Sequence, residues 1–88
     1  MGNEAPPGDA RLQLARVRLR HGWRAAGAPW EAVPPRVAPR NLAIARAYLE
    51  TDEPRSAIAA RHGVPDQRVL EIARGVVYAA LGHRPPRP

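Results

Sequence analysis

The chain contains no cysteine, no phenylalanine and no lysine among its 88 residues. Without cysteine it can form no disulfide, no thiolate metal site and no cysteine nucleophile. Its three histidines, His21, His62 and His83, stand far apart in the sequence. Because a metal site needs several such side chains together, we expect no bound metal and no cofactor.

Long apolar stretches are also missing. The longest is far shorter than the ~20 residues that span a membrane, and the N-terminal segment is polar, unlike a secretion signal. We therefore expect a cytoplasmic, nucleoid-associated protein with no membrane partner. A domain of this size buries only about 60–65% of its unfolded surface, which leaves no room for a deep catalytic cleft. We expect that it is not an enzyme.

Acidic residues are scarce as well. Eight of them face fourteen arginines, which gives a net charge of +6. A GC-rich coding sequence accounts for arginine in place of lysine, but it does not account for the surplus of positive charge. The surplus favours a polyanionic partner, either nucleic acid or an anionic membrane surface.

Proline-rich segments divide the chain. They predict a disordered tail over residues 1–9 and a basic, extended tail over 83–88. Residues 10–39 are expected to form a basic N-terminal arm and a Pro-rich connector. Residues 40–82 remain as the folded domain.

The arm holds five arginines and no acid between residues 10 and 24. Its composition favours a helix, since alanine, leucine, glutamine and arginine are good helix formers. As a helix it would have apolar residues on two opposite sides, one with Leu12, Ala15 and Leu19 and the other with Leu14, Val17 and His21. That weak amphipathicity counts against a membrane-surface helix, and a strand or a flexible arm stays open.

The pattern of residues 40–82 predicts three helices. The first runs from Arg40 to about Thr51, and the second from Pro54 or Arg55 to Arg61 or His62, with Ala57 and Ile58 inward. Gly63 is expected to end the second helix in a left-handed conformation. The third covers residues 66–74 and stops at Gly75, and residues 76–81 fold back onto the core. The expected fold class is all-α, a small bundle of three to four helices.

The spacing around Gly63 is specific. Ala59, four residues earlier, lets two helices approach closely, and Gly63 supplies the positive φ of a sharp turn. Val64 then points inward, and Val69 and Ile72 lie on the buried side of the next helix.

With these features, residues 57–72 resemble the helix-turn-helix superfamily of DNA-binding domains, although His62 fills a slot that is often apolar. Residues 72–78, with Ile72, Gly75 and Tyr78, resemble the ending of compact phage, resolvase-like and mobile-element members. Residues 44–48 resemble their first helix.

The resemblance covers about half of the chain, residues 37–81, and implies a sequence-specific double-stranded DNA-binding protein. It would be a small transcriptional regulator that inserts helix 66–74 in the major groove. The residues expected to contact bases are Gln67, Arg68, Glu71 and Arg74. The residues expected to bind phosphates are Arg40, Arg55 and Arg61.

Other interpretations stay open. A protein–protein adaptor could use Trp23, Trp30 or segment 76–81 to bind RNA polymerase or a nucleoprotein complex, with the helix-turn-helix as a scaffold. A homodimer is compatible with either function. Residues 29–46 also show a faint echo of the same pattern, which would correspond to a second, degenerate helix-turn-helix.

Overall fold

The computed structural model describes residues 7–82, and their side chains from residue 10 onward. This part of the chain forms four α-helices and one short 3₁₀ helix, and it contains no strand. The helices are α1 (Pro7–Ala25), the 3₁₀ turn (Trp30–Ala32), α2 (Pro39–Glu50), α3 (Arg55–His62) and α4 (Asp66–Leu81). The expected all-α bundle is confirmed. None of these helices is both long and apolar enough to cross a membrane.

The arm is a helix, as its composition predicts. Because α1 begins at Pro7, it includes the last three residues of the segment expected to be a tail. Residues 1–6 and the C-terminal tail, 83–88, lie outside the described residues. The two apolar sides of α1 differ in burial: Leu12, Ala15 and Leu19 are half-buried, whereas Leu14 and Val17 are 48% and 53% exposed.

Helices α2 and α4 each contact all the other α-helices, and their contact with each other is the most extensive in the bundle. One side of α2 is almost wholly apolar, so it can pack on several neighbours at once. Trp23 of α1 joins this core with only 1% of its surface exposed. The remaining buried core residues are Ile44, Ala45, Ala47, Tyr48, Leu49, Ile58, Ala59, Val69, Ala73, Val76 and Val77.

Helix α3 ends in a tight turn at Gly63, as expected. Gly63 has a φ of +69°, and the N–H groups of Gly63 and Val64 bond to the carbonyls of Ala60 and Ala59 at 3.4 and 3.0 Å. This is the Schellman pattern, which satisfies the free carbonyls at a helix end. Val64 is half-buried against the core.

A Cβ atom built on Gly63 would meet no heavy atom within 4 Å, so the glycine is needed only for its φ. One detail of this region differs from expectation. Ala57 is exposed, whereas Ile58 and Ala59 are buried. The reason is helical geometry: α2 and α4 cover the side of α3 that Ile58 and Ala59 share.

The expected stop at Gly75 is wrong. Helix α4 continues through Gly75 to Leu81 and ends at Gly82, which has a φ of +73°. Gly75 is exposed, and its cost of about 1 kcal/mol relative to alanine does not break a helix whose buried stripe continues past it. Val76 and Val77 extend that stripe, so segment 76–81 is the last part of α4 and not a separate cap.

The connector between α1 and α2 contains one 3₁₀ turn, at Trp30–Ala32. Residues 33–38 form no helix. A second helix-turn-helix over residues 29–46 would need two helices there, so the faint internal echo has no structural counterpart. The prolines at 34 and 35 explain this, because they disfavour helical backbone before them.

Candidate nucleic-acid interface

The outer face of α4 carries all four residues expected to contact bases. Gln67, Arg68, Glu71 and Arg74 are exposed, while Val69 and Ala73 on the opposite side are buried. Arg68 and Glu71 form an ion pair one turn apart, with 3.5 Å between Nη1 and Oε1. Exposed pairs of this kind contribute little to stability, so either side chain is available to another partner.

The three expected phosphate-binding arginines lie on other helices and in different surroundings. Arg40, at the start of α2, is exposed and donates to the side-chain oxygen of Asn41. Arg61, near the end of α3, is paired with Glu53. Arg55 begins α3, is half-buried, and its Nε has no hydrogen-bond partner among the described residues.

Helix α1 lies beside the candidate face, which the sequence does not reveal. A shallow depression is lined by Ala15, Arg18 and Leu19 of α1 together with Arg74 of α4. Arg18 is exposed, so its guanidinium extends the positive charge of the α4 face onto α1. The arm therefore takes part in the candidate surface as a packed helix.

Arg16 has a different role from the other arginines of α1. It is only 5% exposed, and its guanidinium caps the C-terminal end of α2. Nε donates to the carbonyl of Tyr48 at 2.9 Å, and the two terminal nitrogens donate to the carbonyls of Glu53 and Thr51 at 2.7 Å each. The last carbonyls of a helix lack intrahelical donors and carry partial negative charge, so they match a cation.

Arg20 reinforces this cap from one turn further along α1. It donates to the carbonyl of Tyr48 at 3.2 Å and also to that of Thr51, and it pairs with Asp52 at 3.3 Å. The guanidinium of Arg16 also stacks over the Tyr48 ring, 4.7 Å from its centroid. Burial lowers the pKa of Arg16, and the like charge of Arg20 lowers it further.

One feature of the sequence could have predicted this cap. Arg16 and Arg20 are four residues apart and share a helical side with Leu12 and Trp23, so a buried apolar face brings them inward. Helix α2 has no basic residue in its own last turn. A helix end without its own cation can take one from a neighbouring helix.

The two tryptophans form a pair at the edge of the core. Their rings meet edge to face, with centroids 4.9 Å apart. The Trp30 indole N–H donates to a carboxylate oxygen of Glu50 at 2.6 Å, and Arg46 lies over its ring at 4.5 Å. Trp23 is therefore core, and only half-buried Trp30 has surface left for a partner.

The clustered acids Glu50, Asp52 and Glu53 form no metal site. Each has a partner described above: Trp30, Arg20 and Arg61, respectively. Within residues 10–82 no group of three or more acidic or histidine side chains could hold a metal ion.

No family model, no curated protein and no solved structure matches this chain.

Proposed function

We propose that the chain is a sequence-specific double-stranded DNA-binding protein in which α3, the Gly63 turn and α4 act as a helix-turn-helix. The observation that carries this proposal is the polar outer face at the start of α4. It follows directly on a sharp turn from a short preceding helix, and its side chains are exposed. This is the arrangement by which such domains enter the major groove.

The chemistry of the face supports base contacts. Gln67 can form two hydrogen bonds to adenine, Arg68 two to guanine, and Glu71 can accept from cytosine N4. Arg74, next to Arg18 of α1, extends the face along the groove. Since Arg68 and Glu71 are paired only through an exposed contact, DNA binding can separate them at little cost.

Affinity is expected to come mainly from arginines outside this face. Arg40 and Arg55 lie in the first turns of α2 and α3, where the positive ends of the helix dipoles add to their charge. Such contacts to phosphate are independent of sequence and fix the orientation of the protein on the duplex. Arg61 would first have to leave Glu53, so we expect a smaller contribution from it.

Selection of bound duplexes from a random pool tests specificity and supplies a preferred site. Gln67→Ala and Arg68→Ala should then lose about 1–3 kcal/mol of binding free energy on that site and much less on a scrambled duplex. Arg40→Ala and Arg55→Ala should weaken binding to both duplexes alike. Equal losses for all four variants on both duplexes would contradict a base-contacting role for α4.

A protein–protein adaptor is the second candidate, and one observation favours it. Leu14 and Val17 of α1 expose 48% and 53% of their surface. The apolar residues Trp23, Val76 and Val77 offer a partner almost no surface, because they are buried. If the random pool yields no enriched motif and Leu14→Gln with Val17→Gln abolishes binding to RNA polymerase, the adaptor replaces the DNA-binding proposal.

A further inference from the structure

A groove of about 460 Å³ lies between α1 and the segment that joins α2 to α3. We call it the α1–α3 groove; Arg16, Arg20, Tyr48, Asp52, Arg55 and Ser56 are among its lining residues. Its volume is within the range of about 300–1,000 Å³ that is usual for small-molecule sites. The groove is on a different part of the surface from the base-contacting residues of α4, none of which lines it.

The groove has an excess of positive charge. Among the described residues that line it are three arginines and one acidic residue, Asp52. Asp52 is paired with Arg20 at 3.3 Å, which leaves Arg55 without a carboxylate partner in the groove. An anion bound there would offset this charge in a partly buried setting, where screening by salt is weak.

Several hydrogen-bond donors in the groove also have no acceptor. The Tyr48 hydroxyl, the Nε of Arg20 and the Nε of Arg55 are all closed to solvent and unpartnered within the described residues. Tyr48 as a whole is only 1% exposed. Buried donors are nearly always paired in folded proteins, so three such donors on residues that line one groove point to a ligand rich in acceptor oxygens.

The start of α3 adds two backbone donors. Pro54 provides no side-chain cap, and the N–H groups of Arg55 and Ser56 have no acceptor within the helix. Helix N-termini of this kind favour anions, because the free N–H groups and the helix dipole point at the ligand. The Ser56 side chain lies in the same wall.

We propose that the α1–α3 groove binds a small organic phosphate monoester. The phosphate lies against Arg55, the Tyr48 hydroxyl and the start of α3, and the organic part lies against Leu12 and Val17, which also line the groove. Arg55 is half-buried and the Tyr48 hydroxyl is closed to solvent, so the proposal requires the Arg55 side chain to move when the phosphate enters. A phosphate is favoured over a carboxylate because its three free oxygens match more of the unpartnered donors. The proposal goes beyond DNA binding and does not depend on it.

The test is a titration of ¹⁵N-labelled protein, without DNA, with phenyl phosphate. We expect saturable shifts of the amide signals of Arg55 and Ser56. Methyl phenyl phosphate has the same ring with a diester like that of the DNA backbone, and benzoate has it with a carboxylate. Both should bind at least about tenfold more weakly, since each offers fewer charged oxygens. Equal affinity for either probe would overturn the monoester assignment.

Three variants locate the site. Tyr48→Phe removes one hydroxyl without changing the charge, and Arg55→Gln removes one guanidinium; each should weaken phenyl phosphate binding about tenfold. Arg24→Gln removes the same charge from an exposed position of α1 outside the groove and should change the affinity less than twofold. The proposal is overturned if Arg24→Gln weakens binding as much as Arg55→Gln, if Tyr48→Phe binds as tightly as the parent, or if no saturation is reached.

Discussion

Arg16 shows how one charged residue can hold two helices together. Its guanidinium is buried, yet nearly all its donors have carbonyl acceptors at the end of α2. A buried cation is tolerable only when its donors are matched in this way, because desolvation otherwise costs more than the attraction returns. α1 is thereby fixed to the rest of the bundle by a polar contact as well as by Trp23.

Arg16→Met should therefore lower the free energy of unfolding by about 2–4 kcal/mol, because the carbonyl of Glu53 loses its donor and those of Tyr48 and Thr51 keep only Arg20. Arg18→Met, an exposed change on the same helix, should alter it by no more than about 0.5 kcal/mol. Urea unfolding followed by tryptophan fluorescence measures both. Equal effects of the two changes would mean that the cap does not stabilise the fold.

Removal of the Tyr48 hydroxyl, in contrast, should make the protein more stable. Because it is buried without a partner, Tyr48→Phe should raise the free energy of unfolding by about 1 kcal/mol at neutral pH. Thermal unfolding of the two proteins in the absence of phosphate esters measures the difference. A clear loss of stability would show that the hydroxyl has an acceptor after all.

The difference in the free energy of unfolding between the parent and Tyr48→Phe should also change with pH. Burial raises the pKa of Tyr48, with the nearby arginines acting in the opposite direction. A folded-state pKa above the unfolded value means that the folded protein holds the proton more tightly, so stability falls as the pH rises above about 10. Tyr48→Phe should lack this loss. Parallel unfolding curves at pH 9 and pH 11 check it, and an equal fall in both proteins would contradict it.

At the scale of helices, two glycines with different roles give a matched pair. Gly63 has a φ of +69°, whereas Gly75 is an exposed position inside α4. Gly63→Ala should destabilise the protein by about 1–2 kcal/mol, because a Cβ disfavours left-handed backbone. Gly75→Ala should stabilise it by up to about 1 kcal/mol through helix propensity. Neither Cβ meets a neighbour within 4 Å, so steric clash does not enter the comparison. Thermal melting that gives both changes the same sign would contradict these roles.

The helices could be predicted from local signals, but their ends only in part. Gly63 predicted the end of α3 correctly, and Pro65, two residues later, agrees with that end. Gly75 has no such companion, and the apolar spacing from Val69 to Val77 continues across it, so packing prevailed over a single unfavourable residue. The burial of Ile44, Tyr48 and Leu49 followed from their helical spacing.

The inward arginines could not be predicted in the same way. Composition marks Arg16 and Arg20 as charged, and charged residues are mostly exposed. The helical side that they share with Leu12 and Trp23 indicates an inward position, but their partners are backbone carbonyls more than 25 residues away, which no local pattern identifies. The α1–α3 groove could not be predicted from the sequence for the same reason, because it forms only where α1 packs against the α2–α3 segment.

At the scale of the whole molecule, the net charge of +6 is spread over several helices. Arg16, Arg20 and Arg61 are engaged within the protein, so fewer arginines are free to contact a partner than the composition indicates. Arg18, Arg40 and Arg74 are exposed, and half-buried Arg55 has an Nε without a partner among the described residues. These are the groups on which an electrostatic interaction with DNA would depend.

The salt dependence of binding to duplex DNA tests the central claim most directly. Fluorescence anisotropy with a labelled duplex, repeated at several salt concentrations, gives the slope of log K against log salt. Each phosphate that the protein neutralises contributes about −0.9 to that slope. We predict a slope of about −3 to −4 from these four arginines, reduced by about one in Arg40→Ala. An affinity that does not change between low and physiological salt would contradict DNA binding by this protein.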